Sequence, residues 1–182
     1  MVQRRLVPNR ILFSSDQIRE AVGRLGSEVT PYHDHRTPLL VVGVLKGSFI
    51  FLADLVRHIR CHIEVDFIIA SSYGPSTVSS GRVELRQDVR ADIAGRTIIL
   101  VEDIVDSGRT IARLRSHFLE RGAKKVIVCA LLTRGRRHEV LTGFVLESDT
   151  FVVGYGLDHH EKYRGLPEIW SSAWIEVDES GV

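Results

Sequence analysis

Residues Thr97 to Leu114 read TIILVEDIVDSGRTIARL. The run from Thr97 to Val101 ends in two adjacent carboxylates, Glu102 and Asp103, and a third, Asp106, precedes a Ser107-Gly108 turn. Apolar residues then recur at helical spacing at Ile111, Leu114 and Phe118, and Gly122 offers a C-cap. This is a strand, a loop and a helix in succession, with the charge concentrated at the loop.

The rest of the chain repeats the unit. Leu39–Leu45 (LLVVGVL), Ile63–Ala70 (IEVDFIIA), Lys125–Leu132 (KVIVCALL) and Phe151–Tyr155 (FVVGY) are short apolar runs of the kind found in strands buried on both faces of a parallel sheet. Ser14 and Gln17 have capping-box spacing ahead of the stripe Ile18, Val22 and Leu25, which predicts a helix ending at Gly26. Ser48 to Arg60 carries Phe51, Leu52, Leu55, Val56 and Ile59 on one helical face. Alternating strands and helices imply right-handed crossovers and an open α/β sheet. The polar excursion Tyr73 to Asp92, with some strand character at Val83-Leu85, reads either as a lid or as an exposed β-hairpin.

With 182 residues, 44% hydrophobic and 26% charged, the chain fits one globular domain with an ordinary core. Its formal charge of +1 carries no global basic field, so neither nucleic acid nor an anionic membrane surface is expected as a partner, and any anion site must be local. No apolar run is long enough to span a bilayer, and the basic start MVQRRLVPNR is followed by no apolar stretch of the kind a signal peptide needs. Cys61 and Cys129 stand apart from any CxxC and are expected as buried thiols, which suits a cytoplasmic protein.

In open α/β sheets, ligands bind beyond the carboxyl ends of the strands, and Glu102 and Asp103 are expected just past such an end. Gly108 would let backbone N–H groups converge on an anion, Ser107 and Thr110 would add hydroxyl donors, and the helix N-terminus would add its dipole. No GxxxxGK[ST] occurs, and the GxG at Gly154 lacks a third glycine, so neither a Walker loop nor a dinucleotide fingerprint is present. Carboxylates repel phosphate, so the acidic pair must address donors or a hard cation. Ribose hydroxyls and Mg²⁺ answer to that description, which makes this a ribose-phosphate site. The bland alternative is a solvated acidic loop. The histidines of His33-Asp34-His35 and His159-His160 could suggest zinc, but no further ligands stand at zinc spacing, and solvated loop histidines are the simpler reading.

ILVEDIVDSGRT resembles the phosphoribosyl-pyrophosphate motif of the type I phosphoribosyltransferases, and specifically their hypoxanthine-guanine branch. GVLKGSFIFLADL from Gly43 resembles that branch's pyrophosphate loop, SSYG from Ser71 its mobile lid, and FVVGYGLDHHEKYRGLPEI from Phe151 its purine-binding segment. The resemblance covers about residues 10 to 170. It implies an α/β fold with an open, mainly parallel twisted sheet flanked by helices. The core would span about 30–150, with a small hood lobe from about 1–15 and 151–182, all in one domain.

It also implies transfer of a 5-phosphoribosyl group from phosphoribosyl pyrophosphate to N9 of hypoxanthine or guanine, giving IMP or GMP and pyrophosphate, with Mg²⁺ as cofactor. Glu102 and Asp103 would hold the ribose hydroxyls and help place the metal. Asp106 would be the acid/base group at purine N7. Residues Asp106, Ser107, Gly108, Arg109 and Thr110 would hold the 5′-phosphate, with the Arg109 side chain mostly solvated. Lys46 and Gly47 would bind pyrophosphate through backbone N–H groups, with a Leu45-Lys46 peptide that can be cis, and Arg164 would grip the same group. Phe151 would stack on the purine, Val152 would meet it through its backbone, and Asp158 would reach the metal or a water on it. Ser72 and Tyr73 would belong to the lid.

Two departures stand out. Arg134 occupies the place of the family's lysine at the purine 6-oxygen, and His159-His160 replace an aromatic-then-small pair. A homodimer or homotetramer is expected. The rival readings are a non-catalytic regulator of the same fold that binds a nucleotide or the sugar donor, and a phosphoribosyltransferase for xanthine or adenine.

Overall fold

The computed structural model describes residues 3–72, 83–135, 139–147 and 149–177. Tyr73, and with it most of the expected lid, lies outside the described residues, as do residues 136–138.

A six-stranded sheet forms the centre. Its strands are β2 (Leu39–Leu45), β3 (Ile63–Ser72), β4 (Val83–Gln87), β5 (Thr97–Val105), β6 (Lys125–Arg134) and β7 (Val140–Leu146), in the order β4-β3-β2-β5-β6-β7. All neighbours are parallel except β3 and β4, which pair antiparallel. Helix α2 (Phe49–His58) connects β2 to β3, and α3 (Arg109–Glu120) connects β5 to β6.

The pleat divides the core in two. Leu39, Val41, Ile99, Val101, Cys129 and Leu131 pack with Ile18, Val22 and Leu25 of α1 (Ser15–Val29) and with Phe51, Leu52 and Leu55 of α2. Leu40, Val42, Val44, Ile98, Leu100 and Val128 face the other way, onto Ile111, Leu114 and Phe118 of α3. Alternate residues of one strand therefore serve opposite layers, which is why these runs carry no polar face. Both cysteines are free; Cys129 is buried and Cys61 half-buried.

Three expectations need correction. Helix α1 runs through Gly26 to Val29 and does not stop at the glycine. Gly26 serves close packing instead: a Cβ there would lie 2.4 Å from the Cβ of His58 and 2.8 Å from its carbonyl carbon. The Ser14–Gln17 capping box is present as expected.

Phe151–Tyr155 does not add a strand to the parallel sheet. Only Val152–Val153 (β8) is extended. It pairs antiparallel with β9 (Ile169–Val177), which also pairs with β1 (Gln3–Phe13) to make a separate three-stranded sheet from the two ends of the chain. Left-handed Tyr155 (φ 50°) together with Gly154 and Gly156 (φ 100° each) breaks the extension. The Tyr155 hydroxyl then donates to Asp54 Oδ2 on α2 at 2.6 Å, tying this segment to the core.

The third correction concerns β5, which continues through Glu102 and Asp103 to Val105. The carboxylates lie within the strand because the ladder with β6 extends to Val105↔Thr133. On the β2 side the ladder stops at Gly43↔Val101, so β5 runs on with one edge unpaired by β2.

Candidate active site

The site forms where β2 ends and β5 runs on. The loop after β2 is held by buried Ser48, whose Oγ donates to the Val44 carbonyl at 2.7 Å, and the Leu45-Lys46 peptide is cis. Gly47 of this loop lies directly beneath Asp103. A Cβ at position 47 would sit 1.6 Å from Asp103 Oδ2, so only glycine leaves room for the carboxylate. Gly156 closes the loop from the other side, where a Cβ would lie 2.2 Å from the Gly47 carbonyl oxygen. The loop after β2, the carboxylates of β5 and the turn at Gly156, far apart in sequence, thus meet around two glycines.

Glu102 is buried, and burial together with the charge of adjacent Asp103 pushes its carboxyl well above the usual range. Burial also raises Asp103, opposed by hydrogen bonds from Glu102 and from the Ile104 N–H (2.8 Å) and by the Arg164 guanidinium. Both carboxyls therefore hold a proton more readily than a solvated carboxyl does, Glu102 above all.

These two carboxylates suit a hard divalent cation, which would replace that proton and relieve their repulsion. Among the described residues no three carboxylate, histidine or cysteine groups cluster as a ligand set. A cation here would take one or two carboxylates and fill its shell with ligand oxygens, the habit of Mg²⁺. Asp158 is not gathered with the pair. Its Oδ1 meets Arg164 at 2.8 Å, and its Oδ2 accepts from the Glu161 N–H at 2.8 Å.

Asp106 and Ser107 are exposed at the head of α3, where Gly108 takes the left-handed conformation (φ 80°) as N-cap. The Arg109 amide faces Ser107 Oγ at 3.5 Å, and the Arg109 side chain is exposed. Thr110 is half-buried in the first turn. Left-handed glycine followed by a helix start turns successive N–H groups toward one point, as an anion requires.

Arg134, at the end of β6, is mostly buried. Its Nε meets Asp106 Oδ1 at 3.3 Å, and an Nη donates to the Thr150 carbonyl at 3.1 Å. It thus links the acid/base candidate to the residue preceding Phe151. Phe151 is 46% exposed, whereas Val152 is buried. His159 stands edge-on to Phe151 (5.5 Å) and to Trp174 (5.9 Å). Sequence reasoning missed Trp174, a large exposed aromatic on β9, the middle strand of the three-stranded sheet. It also missed Glu161, which bridges Lys46 and Arg164. Ser72 ends β3.

Residues 12–160 match the phosphoribosyl transferase domain family. A hypoxanthine-guanine phosphoribosyltransferase of Streptococcus pneumoniae is 47% identical over 165 residues, covering 88% of this chain and 91% of that protein. The enzyme of that name from Bacillus subtilis is 44% identical over 164 residues, with the same coverage. The crystal structure of a Bacillus anthracis hypoxanthine-guanine phosphoribosyltransferase superimposes with a TM-score of 0.82 at 40% identity, over 91% of this chain and 99% of that one. Fold, site and likeness agree, and this chain belongs to the phosphoribosyltransferase family.

Proposed function

We propose that this protein is a purine-salvage transferase that moves the 5-phosphoribosyl group of phosphoribosyl pyrophosphate to N9 of hypoxanthine or guanine, releasing pyrophosphate. The observation that carries the reading is the pair of buried Glu102 and half-buried Asp103, with Asp103 seated over Gly47 and the Gly108 helix start following. That arrangement supports reading diol acceptors, a cation site and a phosphate cradle side by side.

Ser107, Gly108, Arg109 and Thr110 hold the 5′-phosphate, with Asp106 at the edge of the same loop. Glu102 and Asp103 accept from the ribose hydroxyls, and their negative charge favours the positive charge that builds at C1. Lys46, Gly47 and Arg164 receive the departing pyrophosphate. Phe151 covers one face of the base, Val152 meets its edge through the backbone, and Arg134 donates to the 6-oxo oxygen. Asp106 exchanges the proton at N7 as N9 attacks. Mg²⁺, held by Glu102 and Asp103 with Asp158 reaching a water on it, would neutralise charge on the pyrophosphate oxygens. Ser72 and Tyr73 are assigned to the lid on the resemblance alone.

We further assign residues 1–182 to one domain, expect a homodimer or homotetramer, and place the protein in the cytoplasm. No helix among the described residues is long and apolar enough to cross a membrane.

The test is an absorbance assay with phosphoribosyl pyrophosphate, Mg²⁺ and each of hypoxanthine, guanine, xanthine and adenine. Turnover of hypoxanthine or guanine is expected. No turnover with any base, combined with retained nucleotide binding, would make the chain a regulator of the same fold.

A further inference from the structure

Lys46 and Arg164 are joined through a single carboxylate. Glu161 Oε1 meets Lys46 Nζ at 3.1 Å, while Oε2 faces both Nε and Nη2 of Arg164 at 3.3 Å. Arg164 is otherwise held by Asp158 Oδ1 at 2.8 Å and the Gly156 carbonyl at 2.7 Å. Two cations thus face two carboxylates, and the cluster is neutral.

The loop is shaped to bring Glu161 there. His160, Glu161 and Tyr163 all take left-handed backbone (φ 51°, 62° and 74°), and His159 and Lys162 exchange backbone hydrogen bonds across the turn. The Asp158 carboxylate pins the Glu161 amide at 2.8 Å, so the backbone is fixed while the side chain remains exposed. A long exposed side chain can leave its partners by rotamer change alone.

We propose that Glu161 is an internal counter-anion of the pyrophosphate subsite. In the free protein its carboxylate occupies the two cations that the sugar donor's pyrophosphate needs, and it swings to solvent when that group arrives. This rests on the reading of Lys46, Gly47 and Arg164 as the pyrophosphate subsite, and adds the Lys46 ammonium to the backbone N–H groups of that reading. A neutral quartet attracts a polyanion weakly, whereas departure of Glu161 leaves a net positive site with two unfilled donors. Donor binding is then an exchange of anions, and return of the carboxylate assists pyrophosphate release. The 5′-phosphate loop lies elsewhere, at Ser107 to Thr110, so a nucleoside monophosphate does not compete with Glu161.

The experiment is calorimetric titration of the wild-type protein, Glu161→Gln and Lys46→Met with magnesium pyrophosphate and, separately, with IMP. Gln keeps the shape and removes the charge. Relief of competition by two exposed ion pairs should tighten pyrophosphate binding by roughly three- to ten-fold in Glu161→Gln. IMP affinity should stay within about twofold. Lys46→Met should weaken pyrophosphate binding. If Lys46→Met binds pyrophosphate as well as wild type, the Lys46 ammonium is no pyrophosphate ligand and the counter-anion proposal falls, while the backbone subsite stands. If Lys46→Met weakens binding but Glu161→Gln binds pyrophosphate equally or more weakly, Glu161 positions the cations and does not compete for them. Equal tightening of pyrophosphate and IMP would mean a general change of charge and would also overturn the proposal.

Discussion

The guanidinium of Arg134 lies 3.3 Å from the carboxylate of Asp106, so the group that would read the base is already paired with the group that would exchange its proton. The Thr150 carbonyl holds the other side of the same guanidinium at 3.1 Å. Arg134 is therefore an oriented donor where the purine would lie. Adenine would place an amino donor against it, leaving a buried polar group without a partner. Arg134→Met should lower kcat/KM for hypoxanthine and guanine by roughly 10- to 100-fold and narrow the gap to adenine. Arg134→Lys should retain more activity. Steady-state kinetics with the three bases checks this; unchanged base preference in Arg134→Met would reduce Arg134 to a structural tie.

Asp106 stands at the head of α3 with 70% of its side chain exposed, accessible to a bound base. Asp106→Asn should keep the loop geometry and nucleotide affinity while lowering kcat by about 10²–10⁴-fold, the usual contribution of an acid/base group. Pre-steady-state turnover with IMP binding measured in parallel separates the two effects. A loss of binding in step with kcat would assign Asp106 to phosphate holding.

Glu102 makes the fold sensitive to pH in a defined direction. Its folded carboxyl holds a proton more tightly than the unfolded chain does, because it is buried beside Asp103. The resulting stability is full below the unfolded value near 4.5 and is lost as pH rises toward the folded one. Glu102→Gln mimics the protonated form and can still donate to Asp103. Its Tm should exceed that of wild type, by a margin that grows as pH rises above about 4.5, while ribose-phosphate transfer is lost. Thermal unfolding across a pH series measures it, and a pH-independent margin would contradict a raised Glu102 carboxyl.

The Tyr155 hydroxyl ties the segment that would bind the purine to α2, at 2.6 Å from Asp54. Tyr155→Phe should cost about 1–2 kcal/mol, a Tm fall of roughly 3–6 °C for a chain of this size. Because Tyr155 follows Gly154 in the turn toward Gly156, KM for the purine should rise more than kcat falls. Calorimetry and base titration report the two effects independently.

Strands β2, β3, β5 and β6 were legible as short apolar runs, and burial between two helical layers is what hides LLVVGVL or KVIVCALL from water; β7, at the sheet edge, was not read as a strand. The turn into α3 was legible because carboxylates, Ser-Gly and a helix start stand consecutively. What escaped was set by partners distant in the chain. The length of β5 depends on where β6 ends, so Glu102 and Asp103 read as loop residues although they are extended. Gly26 looked like a terminator because the approach of His58 is invisible locally. FVVGY has the composition of a central strand but the backbone of a turn, owing to the left-handed conformation of three consecutive residues. Glu161 is an unremarkable surface acid until folding sets it between Lys46 and Arg164.

The one-sided ladder of β5 turns the site into a matter of counting. Pairing with β6 sets which carboxylate points to which layer, and the early end of pairing with β2 sets where Gly47 can meet Asp103. Adding or deleting one residue between Val101 and Asp106 would reverse the facing of every side chain downstream of the change within the strand. All the functional groups would remain in the chain, yet Asp103 would no longer lie over Gly47. Chemistry at this site is therefore more vulnerable to a change of one residue in length than to many changes of residue type, and an engineered variant could more safely lengthen the turn just before β5, where Gly95 is left-handed (φ 71°) and a Cβ would meet nothing within 4 Å.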